Sequence, residues 1–247
     1  MDKISYTALS GMRATMAAQT VTANNLANAS TTGFRRDFST TIAAAIHGSD
    51  NKDSRILTNE TAMRADFSEG MLMTTGRSLD VALGSGNFLS VQAANGEEVY
   101  TRRGDLKIAP SGALVNGDGR PVLGTEGPIT LPPAARIEIQ ADGGIAILPE
   151  GAPPEADMEV VAQLKLVTPD PEKLERGADT MFRLTEGQVE ADPAARLASG
   201  QLEGSNVDSS EELVNLLEQA RQFELQVGIL TTARDLDQSS ASLLRQD

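Results

Sequence analysis

The sequence predicts an α+β protein in several parts, with amphipathic, coiled-coil-like helices at both ends bracketing a mainly antiparallel β domain. Three observations carry this. Apolar residues near the start alternate three and four apart, and a second such series runs near the end. Between them, residues 76–199 hold most of the glycines and every proline, around short alternating stretches. A length of 247 residues accommodates one or two domains.

The first element is a helix within residues 1–34. Leu9, Met12, Met16, Gln19, Ala23 and Leu26 form an a/d stripe on one helical face. No proline interrupts it, and no glycine stands between Gly11 and Gly33. Gly33 is read as the C-cap, because glycine enters the left-handed conformation without steric cost. Residues 35–75 are polar without a clear period and read as an extended linker.

The β domain, 76–199, follows from turn chemistry and alternation. Phe88 to Gln92 and Glu98 to Arg102 flank Asn95-Gly96, a type I′ hairpin signal. Asn116-Gly117-Asp118-Gly119 is a second tight turn. Arg136 to Gln140 alternates polar and apolar, Ile145 to Leu148 is an apolar run, and Met158 to Val167 reads as one long strand. Many short strands at this spacing predict a sandwich or barrel-like arrangement.

Residues 200–247 return to helix. Ser205-Asn206, or Ser209-Ser210 ahead of Glu211-Glu212, supplies its cap. Leu213, Leu216, Ala220, Phe223, Val227 and Leu230 continue the three-and-four spacing. Residues 1–36 carry a net charge of +3 and residues 201–247 a net charge of −6. The two helices can therefore pair within one chain or with the ends of neighbouring chains; periodicity leaves both open.

Composition excludes several functions. A net charge of −14 repels phosphate backbones and anionic membrane surfaces. The absence of cysteine removes disulfide, zinc-thiolate and cysteine-nucleophile chemistry. No run of 18 apolar residues exists, so no membrane insertion is expected, and residues 1–19 lack the apolar core of a cleavable signal. His47 is the single histidine, and Gly84-Ser85-Gly86 lacks the spacing of a nucleophile elbow. No nucleophile, base and orienting group stand together. The expectation is therefore no enzyme activity, no catalytic residue, no metal site and no cofactor.

Four segments carry a resemblance. Ala23-Asn24-Asn25-Leu26-Ala27-Asn28 with Thr32-Gly33-Phe34-Arg35 resembles the N-terminal signature of flagellar rod and hook proteins. Leu79-Asp80-Val81-Ala82-Leu83-Gly84, Tyr100-Thr101-Arg102-Arg103-Gly104, and Leu202-Glu203-Gly204-Ser205-Asn206-Val207 with Arg221-Gln222-Phe223-Glu224 resemble three further family segments, in family order. Within that family, Met1-Asp2-Lys3, Ser10-Gly11, Leu164 to Val167 and Gly204 look like the proximal-rod type. Leu89 replaces one of two usual aromatics.

The resemblance implies a structural subunit of the flagellar basal body, stacking head to tail into a hollow, torque-transmitting shaft in the periplasm. Terminal helices would form its inner tube. Partners would be other rod proteins, copies of itself and the flagellar type III export apparatus. The assembly interface would comprise Leu9, Met12, Met16, Asn24, Asn25, Leu26, Asn28, Gly33 and Phe34, with Asn206, Leu213, Leu216, Ala220, Phe223, Val227 and Leu230. Asn24, Asn25 and Asn28 either bond to neighbouring helices or weaken the helix end; three asparagines in five residues favour the first. The rival readings are a distal-rod or hook paralogue, a periplasmic cell-wall enzyme, and a soluble binding adaptor.

Overall fold

The computed structural model describes residues 2–47, 53–153, 155–177 and 179–243. The architecture is α+β, with one long helix at each end and antiparallel strands between them. The chain divides into two compact units. The first comprises residues 1–28, 37–66 and 207–247; the second comprises 29–36 and 67–206.

The first unit holds α1 (Asp2–Ala27), β1 (Asp37–His47), β2 (Asp53–Ala65) and α2 (Ser209–Leu243). The segment read as an extended linker thus contains two long antiparallel strands, with β1 and β2 paired from Asp37–Ala65 to His47–Asp53. Irregularities at Ile42/Ala43 and Ile46/His47 break the ladder. The residues left out of the pairing, Ser54 and Asn59, both lie on β2, so the period of two is interrupted there and not in β1.

Helix α1 ends at Ala27, six residues before Gly33. Its C-terminus is served by Asn28, whose Nδ2 donates to the Asn24 carbonyl at 3.0 Å. The start of α2 is capped by Asp208 rather than by a serine or by Asn206. The Asp208 carboxylate accepts from the Ser210 amide at 2.8 Å and the Glu211 amide at 3.3 Å.

The second unit is built from small antiparallel sheets. In the largest, the strands lie in the order Leu166–Val167, Phe88–Gln92, Glu98–Thr101, Phe182–Leu184, Leu174–Arg176. Ala134–Ile139, Gly144–Pro149 and Glu159–Gln163 form a three-stranded sheet. The long strand expected over Met158 to Val167 is therefore two strands in different sheets. Val81, Leu89, Val99, Leu114, Ile145 and Leu164 fill the shared core. Phe67, Phe88 and Phe182 pack on one another with ring centroids 5.4–6.0 Å apart.

The hairpin at Asn95-Gly96 is not type I′. The Ala93 amide bonds to the Glu97 carbonyl at 2.8 Å across a three-residue loop, and Gly96 alone turns left-handed there. That is the geometry of a type I turn completed by a glycine bulge. The turn at Asn116 to Gly119 forms as expected, with the Asn116 side-chain oxygen accepting from the Asp118 and Arg120 amides.

Candidate assembly interface

In the first unit, α1 and α2 run antiparallel along one seam. The α1 side consists of Ala8, Gly11, Thr15, Ala18, Thr22 and Asn25, the α2 side of Glu212, Leu216, Gln219, Phe223, Gln226, Leu230 and Ala233. Both series alternate three and four, as coiled-coil contacts do. The α1 series lies one residue N-terminal to the stripe expected from hydrophobicity. One residue is a turn of about 100° around the helix. In α2 the Leu216, Phe223 and Leu230 positions coincide with expectation, but Glu212, Gln219 and Gln226 stand where Leu213, Ala220 and Val227 were expected.

The displaced apolar side chains face outward. Leu9 and Met16 on α1 are exposed, as are Leu213, Ala220 and Val227 on α2. Met12, Leu26, Leu216, Phe223 and Leu230 are half-buried. Val214, Leu217, Leu225, Ile229 and Leu236 are exposed on further sides of α2, with Leu225 at 69%. A helix apolar around most of its circumference is suited to burial among several neighbours. Arg13 is exposed on α1.

Of the three asparagines, Asn25 is buried in the seam, where Nδ2 lies 3.4 Å from Glu212 Oε1. Asn24 is exposed, and Asn28 is half-buried at the helix end.

Within the second unit, parts of the four segments that carry the resemblance meet at one buried charge cluster. Glu203 is its centre. Its Oε1 accepts from Arg35 Nη2 at 2.6 Å and from the Gly70 amide at 2.9 Å. Its Oε2 accepts from Arg102 Nη2 at 2.6 Å and Nε at 2.8 Å. Arg102 also donates to the carbonyls of Leu83, Gly84 and Asn87. Arg35, Glu203 and Arg102 are only 1%, 2% and 3% exposed. Burial pushes the Arg102 guanidinium below the ordinary arginine range, and the Glu203 carboxylate opposes that shift. Arginine remains charged throughout the working pH range.

The flanking residues brace this cluster. Gly33 is left-handed (φ +68°), donates its amide to the Glu203 carbonyl at 2.7 Å, and leaves no room for a Cβ against the Arg102 carbonyl. It is required by this close approach, not by helix termination. Phe34 is buried beneath the Arg176 guanidinium, 4.5 Å from the ring centroid. Asn206 accepts from the Arg36 amide at 2.6 Å and donates to the Ser68 carbonyl at 3.0 Å. Gly33 and Phe34 are thus buried within this unit, and Asn206 is half-buried there.

Arg35, Arg102 and Glu203 were absent from the expected site residues. Each lies in a different one of the four segments that carry the resemblance, and a charge embedded in each was the available signal for a shared ion cluster. Among the described residues, no group of three or more acids and histidines is placed to hold a metal, and no helix is long and apolar enough to cross a membrane.

Known proteins resemble the chain in three segments and along its whole length. The family described as flagella basal body rod protein matches residues 6–35. The flagellar hook protein FlgE/F/G D1 domain matches 83–147, and the flagellar basal body rod FlgEFG protein C-terminal family matches 198–243. The chain is 41% identical over 251 residues to the flagellar basal-body rod protein FlgF of Salmonella typhimurium strain LT2, covering 99% of each. It is 40% identical over 242 residues to FlgF of Escherichia coli K12, covering 95% of each. Identity to the rod protein FlgG of Bacillus subtilis is 28% over 264 residues, with 97% of this chain and 98% of that relative covered. Full-length similarity of this degree shows that the chain belongs to the flagellar basal-body rod protein family.

Proposed function

We propose that the chain is a structural subunit of the bacterial flagellar rod, of the proximal FlgF type, with a mechanical role and no catalysis. The carrying observation is the apolar surface that α2 leaves uncovered: Leu213, Val214, Leu217, Leu225, Ile229 and Leu236 are all exposed. Apolar surface of that extent marks a site of association. Full-length similarity to proteins named for the basal-body rod supplies the partner class, namely other rod proteins and copies of this chain.

Assembly would be head to tail. Such heterologous contacts propagate as a helix when the rotation does not close. The terminal helices would line the tube. On this reading Leu9, Met16, Leu213, Ala220 and Val227 meet neighbouring subunits, and Met12, Asn24, Leu26, Asn28, Leu216, Phe223 and Leu230 border those contacts. The rod would lie in the periplasm, its subunits delivered by the flagellar type III export apparatus.

The test is a strain lacking this chain. Its basal bodies should be missing part of the rod and its cells should not swim. Complete rods and normal swimming without the chain would overturn the reading.

A further inference from the structure

Two hydrogen-bonded rungs cross the seam between α1 and α2. Gln219 Nε2 donates to Thr22 Oγ1 at 3.0 Å, and Gln226 Nε2 donates to Thr15 Oγ1 at 3.3 Å. Thr15 in turn donates to the Gly11 carbonyl at 3.1 Å. The Gln226 amide lies over Gly11, where an added Cβ would come within 3.0 Å of Nε2. The rungs are one heptad apart on each helix, so they report a single register. One heptad further, that register places Ala8 opposite Ala233, and both are buried.

Stability alone does not account for these side chains. Gln219 Oε1 and Gln226 Oε1 are screened from solvent and accept no hydrogen bond. Each such oxygen has lost water without a replacement. Meanwhile Leu9 and Met16, each one residue beyond a seam position, are exposed. Turning α1 by one residue would exchange Ala8 for Leu9 and Thr15 for Met16, and would bury more apolar surface. Apolar burial by itself therefore favours a different facing from the one observed.

We propose that the Thr22–Gln219 and Thr15–Gln226 rungs select the register and the facing of the α1–α2 pair. Polar residues at inward coiled-coil positions specify alignment at a cost in stability. A slip of one heptad would set Thr22 against Gln226 and strand Gln219 without its hydroxyl. A rotation would remove both hydroxyls from the amides. The device also makes the seam a poor host for an apolar helix face of another chain, which keeps intrachain pairing distinct from association. The inference concerns pairing within one chain and stands independently of where that chain assembles.

The chain contains no cysteine, so introduced pairs give an unambiguous readout. Ala8→Cys with Ala233→Cys reports the observed facing, and Leu9→Cys with Ala233→Cys reports the rotated one. Both are made in the full-length chain and oxidised at submicromolar concentration, where cross-links are intramolecular. The first pair should oxidise about tenfold faster than the second, as a preference for one facing requires. With Thr15→Val, Thr22→Val, Gln219→Leu and Gln226→Leu in the background, that ratio should fall to within about twofold while the helical circular dichroism is retained. Thr15→Ser with Thr22→Ser, which keeps both hydroxyls, should preserve the full ratio. A ratio unchanged in the Val/Leu background, loss of helix there, or collapse of the ratio in the Ser background would each overturn the proposal.

Discussion

The Asn25 carboxamide pairs with both main-chain groups of Asp37. It donates to the Asp37 carbonyl at 2.7 Å and accepts from the Asp37 amide at 2.8 Å. A side chain here does what a neighbouring strand would do, fixing the first residue of β1 to the last turn of α1. An amide is the group that can both donate and accept in this geometry. Asn25 is therefore explained within the first unit, while exposed Asn24 is the member of the trio left facing outward.

Asn25→Asp should loosen the end of α1. The acid keeps the shape but loses the donor, and it places a second carboxylate near buried Glu212. The expected loss is about 2–4 kcal/mol. Hydrogen exchange at the α1 amides should quicken accordingly, and unchanged protection would refute the pairing.

Glu203→Gln should weaken the second unit by about 3–5 kcal/mol, because two buried guanidiniums lose their counter-charge together. The chain has no tryptophan and two tyrosines, so a Tyr6→Phe background leaves Tyr100 as the single intrinsic reporter. Urea unfolding followed by Tyr100 fluorescence measures the change. A shift smaller than about 1 kcal/mol, ordinary for a surface substitution, would contradict the cluster's role.

Tyr100 gives a pH prediction. Burial raises its hydroxyl above the ordinary value, opposed by the Val189 amide it accepts from and assisted by Glu98. A neutral acid whose folded pKa is raised stabilises the fold fully below the unfolded value, about 10, and that contribution is lost as pH rises through the folded value. In the Tyr6→Phe background, phenolate absorbance should appear at higher pH in the folded chain than in urea, and the Tyr100 contribution to stability should decline above about pH 10. Coincident folded and unfolded titrations would show that Tyr100 is not shielded.

The architecture was legible in the sequence because the strongest signals are local. Three-and-four spacing located both helices, and glycine with proline marked the domain of short strands. In α1 hydrophobicity selects Leu9 and Met16, which are exposed, whereas the intrachain seam is made of Thr15, Thr22 and small residues. In α2 the half of the pattern at Leu216, Phe223 and Leu230 was visible, and the half at Gln219 and Gln226 was hidden by polarity. The β1–β2 pair was missed although Phe38, Thr40, Ile42, Ala44 and Ile46 stand two apart in β1; the bulges, at Ser54 and Asn59, interrupt alternation only in β2. Gly33 was correctly identified as left-handed, but its reason lies 69 residues away at the Arg102 carbonyl, beyond the reach of any local rule.

The central claim is that the outward apolar surface of α2 serves assembly and contributes little to the fold of the single chain. Leu217→Asp combined with Leu225→Asp tests it, since both side chains are exposed and neither lies in the seam. Such changes should cost the isolated chain no more than about 1 kcal/mol. The decisive measurement is swimming motility of a strain carrying the double variant in place of the native chain, with expression matched and the purified variant's melting checked. The account predicts a chain that melts like the native one and cells that do not swim, with rods absent or truncated. Normal swimming at matched expression would contradict it.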